Sequence, residues 1–341
     1  MIRKFLHFIL HSRLEDVMAV AVSAALLVFF SFTRMIHSFQ FGLLDVAFIL
    51  LPVGILGVKC LLGMLLSSND PAGKSTDPVQ ILVQFFRPLL KIVRDWFPFL
   101  LLAACYYSLF SNLILRVNPH TVDGTLARID AAIFGGQPSI LLQPWIRPWL
   151  TNFFSLVYFS YVLFFPGVAL YFYLKGDLKI FRTIMMGYLT LILMGVLSYL
   201  TFPAIGPGSY FADRYTRDVH GEVLIKSVDY IMLTGHVSYD CFPSLHVGIP
   251  LLLTFYLYSY RRKFFIPAAL YVVCMCGATI YMRYHYFIDV AAAFVYAPTA
   301  YFLNNFLLAH WPGEKIARSP AAAGNTRPGL PTTPDIDAAT S

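Results

Sequence analysis

Apolar runs of about twenty residues, parted by short charged segments, recur from residue 16 to residue 309. Crossing roughly 30 Å of hydrocarbon takes about 20 helical residues, and backbone groups inside lipid must find partners within the protein. A chain patterned in this way folds as a bundle of membrane-spanning helices. Eight spans read out, at about 16–36, 42–66, 96–116, 150–174, 180–203, 244–260, 264–282 and 289–309. The sixth is the shortest and leans on its neighbours for cover. Composition agrees, since 13% of the 341 residues are charged and 58% are hydrophobic, whereas a soluble domain is about a quarter charged. The expected fold class is an all-α polytopic membrane protein.

Orientation follows from the basic residues. Arg3, Lys4 and Arg13 precede span one, and Lys74, Arg87, Lys91 and Arg94 lie between spans two and three. Later come Lys175, Lys179 and Arg182, then Arg261, Arg262 and Lys263, then Lys315 and Arg318. With eight spans all of these fall on one side, which the positive-inside rule makes the cytoplasm. Both termini are then cytoplasmic, and the segments 117–149, 204–243 and 283–288 face the other way. These topology determinants account for the formal charge of +7, so nucleic acid is not an expected partner. The opening MIRKFLHFILHSRLED reads as an interfacial segment over 1–15 rather than a cleaved signal, because no small-residue cleavage site follows and the run continues into a full span. The tail 311–341, rich in Pro, Ala and Thr, has nothing to bury and reads as a disordered cytoplasmic extension. Of the cysteines only Cys241 sits in a long loop, so no disulfide framework is expected.

Two helix mouths break the apolar pattern with polar residues. CFPSLHVGIPLLL, 241–253, places Pro243, Ser244 and His246 where span six begins, and YMRYHYFIDVAAAFV, 281–295, carries Arg283, His285 and Asp289 into span eight. Span six runs inward and span seven runs back out, so His285 returns to the level of His246 on the extracytoplasmic side. His285 and Asp289 are four apart and share a face if the helix has begun. An imidazole held by a carboxylate has a fixed tautomer and a stronger attacking nitrogen, and a second His can protonate a leaving alkoxide or deprotonate an incoming hydroxyl. Arg283 and the open N–H groups of helix starts offer charge stabilisation for a phosphoryl group, while Ser244 can cap its helix or donate to a phosphate oxygen. Ionisable groups at such positions are expensive in lipid and mark function. A blander reading of Arg283 is a cation at a span end, snorkelling to the interface. A metal set of His236, Asp240, His246, His285 and Asp289 is conceivable, but loop His and Asp at a membrane surface have many uses, and no metal or other cofactor is expected. The aromatic run SLVYFSYVLFF, 155–165, reads as lipid-facing and interfacial packing, and GPG at 206–208 as a break after span five.

FPSLH followed by HYFID resembles the second and third signature motifs of the type 2 phosphatidic acid phosphatase superfamily. Within it the chain resembles the branch of inositol phosphorylceramide synthases and their bacterial relatives, which TFPAIGPGSYF, 201–211, and RIDAAIFGGQPS, 128–139, also resemble. The resemblance implies a six-helix catalytic core over 96–310, with two added helices and a cytoplasmic linker over 16–95. It further implies His285 as the nucleophile that becomes a phosphohistidine, Asp289 as its orienting carboxylate and His246 as general acid and base. The superfamily's first motif, a Lys followed by Arg-Pro, has no full counterpart beyond Arg147-Pro148, and Thr279 stands where classical members place an Arg six before the nucleophile. Losing both cations is shared more by the phosphotransferase branch, so transfer between lipids is expected. The partners implied are a lipid phosphate or phospholipid and a lipid alcohol acceptor, in the membrane. A lipid phosphate phosphatase of the same superfamily is the alternative. A transporter that only binds an anionic headgroup is the non-enzymatic one, and the sequence shows no repeated halves to favour it.

Overall fold

The computed structural model describes residues 12–21, 24, 86–87, 90–99, 114–219 and 239–312. From residue 123 onward the longer helices are α1 (Asp123–Phe134), α2 (Pro148–Leu174), α3 (Leu178–Thr201), α4 (Leu245–Tyr260), α5 (Phe265–Tyr281) and α6 (Phe287–His310). No strand occurs among the described residues, and Ala204 and Asp240 form an isolated bridge. The chain is an all-α polytopic membrane protein. α2, α3, α5 with the turn before it, and α6 are long and apolar enough to cross a membrane. Their bounds lie within a few residues of the spans read at 150–174, 180–203, 264–282 and 289–309. Most of the first expected span, all of the second, most of the third and the tail beyond 312 lie outside the described residues.

α4 has 16 residues, short for a span. It packs against α2, α3, α5 and α6, and Val247 through Thr254 are all buried, so protein rather than lipid covers it. One close approach makes this possible: a Cβ on Gly187 of α3 would stand 2.1 Å from the Tyr256 hydroxyl of α4. That hydroxyl and the Thr183 carbonyl both accept from the Asn304 amide of α6, at 3.0 Å for the carbonyl and 2.8 Å for the hydroxyl, which satisfies the buried amide N–H groups. Large side chains such as Leu163, Leu270, Val273, Val295 and Phe302 stay exposed on the bundle surface. In a span, such residues meet lipid tails.

At the end of the bundle opposite the histidines, the N-terminal segment is pinned by charge. Buried Glu15 accepts from Arg182, one contact being 2.8 Å. Asp95 accepts from Arg13 and Tyr173 at 3.3 and 3.2 Å, and Arg94 pairs with Asp16 at 3.0 Å. Trp311 donates to the Ser12 carbonyl at 2.9 Å. Residues 12–16 and 94–95 therefore brace the ends of α2, α3 and α6 far from the helix mouths.

Candidate active site

α4 ends by Tyr260, a short turn of Arg262–Phe264 follows, and α5 returns to Tyr281. The link to α6 then folds back on the end of α5, where the Thr279 carbonyl accepts from the N–H groups of Tyr284 and His285 at 2.9 and 3.2 Å. This brings the two histidines together, with His246 Nδ1 3.1 Å from His285 Nε2. His285 is 4% exposed and Asp289 is fully buried, whereas His246 is only partly buried.

His285 and Asp289 do meet, at 3.5 Å from Nδ1 to Oδ2, but not as two residues on one helix face. α6 begins at Phe287, with Tyr286 as its N-cap. Asp289 stands at the third helical position, where its Oδ2 accepts from the Tyr286 N–H at 2.8 Å, and this capping arrangement swings the carboxylate back toward His285. The Cys241 carbonyl lies 2.9 Å from His285 Nδ1. A carbonyl only accepts, so Nδ1 carries hydrogen and Nε2 is the nitrogen left to react.

The loop cysteine, assigned no role from the sequence, belongs to this cluster. The Cys241 thiol donates to Asp289 Oδ2 at 2.9 Å and lies 3.3 Å from the Tyr284 carbonyl. Burial, and then the Asp289 carboxylate, push its ionisation well up, so it stays a thiol donor. Cys241, His285 and Asp289 have ligand atoms within 4.8 Å of one another and are the described groups that could hold a metal; Cys241 Sγ, His285 Nδ1 and Asp289 Oδ2 are engaged within the trio and to carbonyls, while the buried Asp289 Oδ1 has no hydrogen-bond partner. Of the wider metal set, His236 lies outside the described residues.

A second missed element is α1. Its buried face is Asp123, Leu126 and Asp130. Asp130 accepts from the N–H groups of Phe287 and Ile288 at 2.7 and 3.0 Å. Burial raises its ionisation above the ordinary carboxylate range, opposed by those same bonds. Asp123 accepts from Ile205 and Gly206 N–H at 3.1 and 3.0 Å and from the Tyr286 hydroxyl at 3.0 Å. The two carboxylates thus clamp the His285 link to the 203–206 loop. One expectation is corrected here: the first N–H groups of α6 are taken by Asp130 and are not open to a phosphate, because a buried helix start needs its own acceptors.

α4 starts differently. Ser244 is its N-cap but makes no side-chain cap bond, and its buried Oγ has no hydrogen-bond partner. Its N–H donates to the Asp289 carbonyl at 3.1 Å, tying the two mouths. Arg283 turns into the neighbouring loop, where its guanidinium stacks 3.7 Å over the Tyr215 ring and donates to the Arg217 carbonyl. Its buried Nε makes no hydrogen bond, and burial lowers the ionisation of the group. Arg147 does not reach the histidines: its guanidinium donates to the carbonyls of Pro144 and Ile146 at 3.1 and 3.0 Å.

The run 155–165, read as packing, also supplies a site residue. The Tyr158 hydroxyl lies 2.9 Å from His246 Nε2, and Tyr158 is 3% exposed. The signal for it was available as a polar stripe: Thr151, Ser155 and Tyr158 sit at i, i+4 and i+7, one helix face. Thr151 bonds the Tyr281 hydroxyl at 2.8 Å and Ser155 donates to Met282 Sδ at 3.6 Å.

GPG at 206–208 is more than a break. Gly206 has φ 87°, and a Cβ there would stand 2.9 Å from the Tyr284 carbonyl oxygen. Gly208 donates its N–H to the Arg283 carbonyl at 2.9 Å, so this turn buttresses the link that holds His285. Gly206→Ala is expected to cost about 1–3 kcal/mol through left-handed strain and overpacking. Thermal unfolding in detergent checks this, with turnover falling in parallel.

A sequence model of the PAP2 superfamily matches residues 124–303, more than half of the chain. No curated protein matches, and no solved structure matches.

Proposed function

This chain belongs to the PAP2 superfamily, and from that premise we propose that it is a membrane-embedded phosphotransferase acting on lipid phosphates or phosphodiesters through a phosphohistidine at His285. Membership and the apolar helices support a membrane phosphatase-type function. The observation that carries the finer reading is the ordered contact of Asp289 with His285 Nδ1 and of His285 Nε2 with His246 Nδ1 at 3.1 Å.

In the first half-reaction the Nε2 lone pair forms the N–P bond as the P–O bond to the leaving group breaks. His246, carrying hydrogen on both ring nitrogens when it acts as the acid, gives its Nδ1 proton to the departing oxygen and is left neutral with Nε2–H. Asp289 offsets the positive charge that grows on the His285 ring. Seating of the phosphoryl group parts the two rings, with the partly buried His246 the one to move. In the second half the hydroxyl of a lipid alcohol, or water, gives its proton to His246 Nδ1 and attacks phosphorus, returning the electron pair to Nε2. Buried, unpartnered Ser244 Oγ and Arg283 Nε are the side-chain donors we assign to phosphate oxygens. The basic residues Lys175, Lys179 and Arg182, and Arg261 to Lys263, lie at the helix ends opposite the histidines, which supports an extracytoplasmic site.

The test is single turnover of the protein in lipid with a phosphorus-labelled phospholipid, with and without diacylglycerol or ceramide. Label should appear on the protein and then on the acceptor lipid, should persist with chelator and should be blocked by vanadate. Label released only to water supports the phosphatase of the same superfamily. A protein that binds but never reacts leaves the transporter reading, and loss of reaction with chelator would favour a metal-dependent hydrolase.

A further inference from the structure

A histidine that acts as acid in one half-reaction and base in the next must keep its remote nitrogen in order through both. When His246 Nδ1 is bare, and when the ring carries hydrogen on both nitrogens as the acid, Nε2–H needs an acceptor. When Nδ1–H rests against His285 Nε2, a neutral His246 has a bare Nε2 and needs a donor. A hydroxyl meets both demands by rotating its hydrogen. The Tyr158 hydroxyl, 2.9 Å from His246 Nε2, is such a group, on a helix that carries neither histidine nor Asp289. Its ring is stacked against His246, with centroids 4.7 Å apart, and against Tyr284 at 4.4 Å. The ring plane is thereby fixed and the hydroxyl is aimed.

We propose that Tyr158 is a positioning residue for His246, holding the imidazole so that Nδ1 faces the reacting phosphorus in both halves of the cycle; this rests on reading His246 as the general acid and base. The two histidines are then served differently. His285 has a carboxylate behind it, which strengthens the attacking nitrogen. His246 has a phenol behind it, which orients the ring without holding a proton as firmly as a carboxylate does, and a proton shuttle has to release what it takes.

The test uses the full chain in lipid and two substrates. A short-chain phosphatidate has an alkoxide leaving group that needs a proton, whereas nitrophenyl phosphate releases a phenolate that does not. Tyr158→Phe is expected to lose about tenfold or more in the single-turnover rate at which the phosphatidate labels the protein, a share of the general-acid contribution, and less than about twofold in labelling by the nitrophenyl ester, because labelling isolates the first half-reaction from the second, which both esters share. Tyr158→Gln, whose amide oxygen can accept from Nε2–H, should bring the ratio of the two rates back toward wild type, and it carries the same comparison if the Phe variant does not fold. Equal losses on both esters, or no loss on either, overturn the proposal while leaving the phosphohistidine intact. A wild-type protein that forms no phosphohistidine at all overturns both.

Discussion

His285→Ala in lipid forms no phosphorylated protein and turns over at least about a thousandfold more slowly than wild type, because the group that becomes covalently bonded is gone. The variant is expected to fold. His285 precedes α6 rather than lying within it, and the helix start is held by Asp130 and Asp289 contacts to the backbone of residues 286–288, none of which uses the imidazole. The label itself adds a chemical check. A phosphorus–nitrogen bond breaks in acid and survives base, so wild-type label should be acid-labile. Acid-stable label would move the covalent bond to an oxygen, for which the unpartnered Ser244 hydroxyl is the nearest candidate in the motif. Label that persists in the alanine variant with wild-type yield sinks the assignment of His285 altogether.

The spans from residue 148 onward were legible because the length of an apolar run is a one-dimensional property, and lipid imposes it segment by segment. α4 was legible even though it is short, since its run of apolar residues has the length of a helix enclosed by protein. α1 was not legible. Its buried face, Asp123, Leu126 and Asp130, is mostly acidic and looks like a solvated face until the backbone N–H groups it serves are known, and those lie in chain more than 80 residues away. Cys241 and Tyr158 were missed for the same reason, as their meaning comes from partners 44 and 88 residues distant.

The pairing of His285 with Asp289 shows how a spacing can anticipate a contact through the wrong geometry. Four residues apart suggested one face of a helix. In the fold the helix starts between them, and the carboxylate is presented by its capping of Tyr286 N–H. The same accounting separates the two helix starts, and the expectation of open N–H groups fails only at α6. The α6 start is filled by two carboxylates, and the α4 start keeps an uncapped Ser244. Thr279, where the resemblance would place an Arg, contributes its backbone carbonyl, which folds the link.

Asp289→Asn is expected to fold, and to slow phosphohistidine formation by about a hundredfold to a thousandfold, since it removes the charge while keeping the shape. One oxygen, Oδ2, serves three neighbours: the Tyr286 N–H at 2.8 Å, the Cys241 thiol at 2.9 Å and His285 Nδ1 at 3.5 Å. An asparagine carbonyl can still accept from the first two, so the capping of α6 survives. What is lost is the anion beside a ring that must turn positive as the N–P bond forms, in a site where burial leaves little water to replace it. The Cys241 carbonyl still holds the Nδ1–H tautomer, so the loss should be smaller than that of His285→Ala. Asp289→Ala removes the cap as well and should lower thermal stability by a further amount, about 1 kcal/mol. Single-turnover labelling of both variants beside their unfolding midpoints separates the two roles. If asparagine reacts as fast as aspartate, then the Cys241 carbonyl alone orients His285, and Asp289 is a helix cap whose charge the reaction does not use.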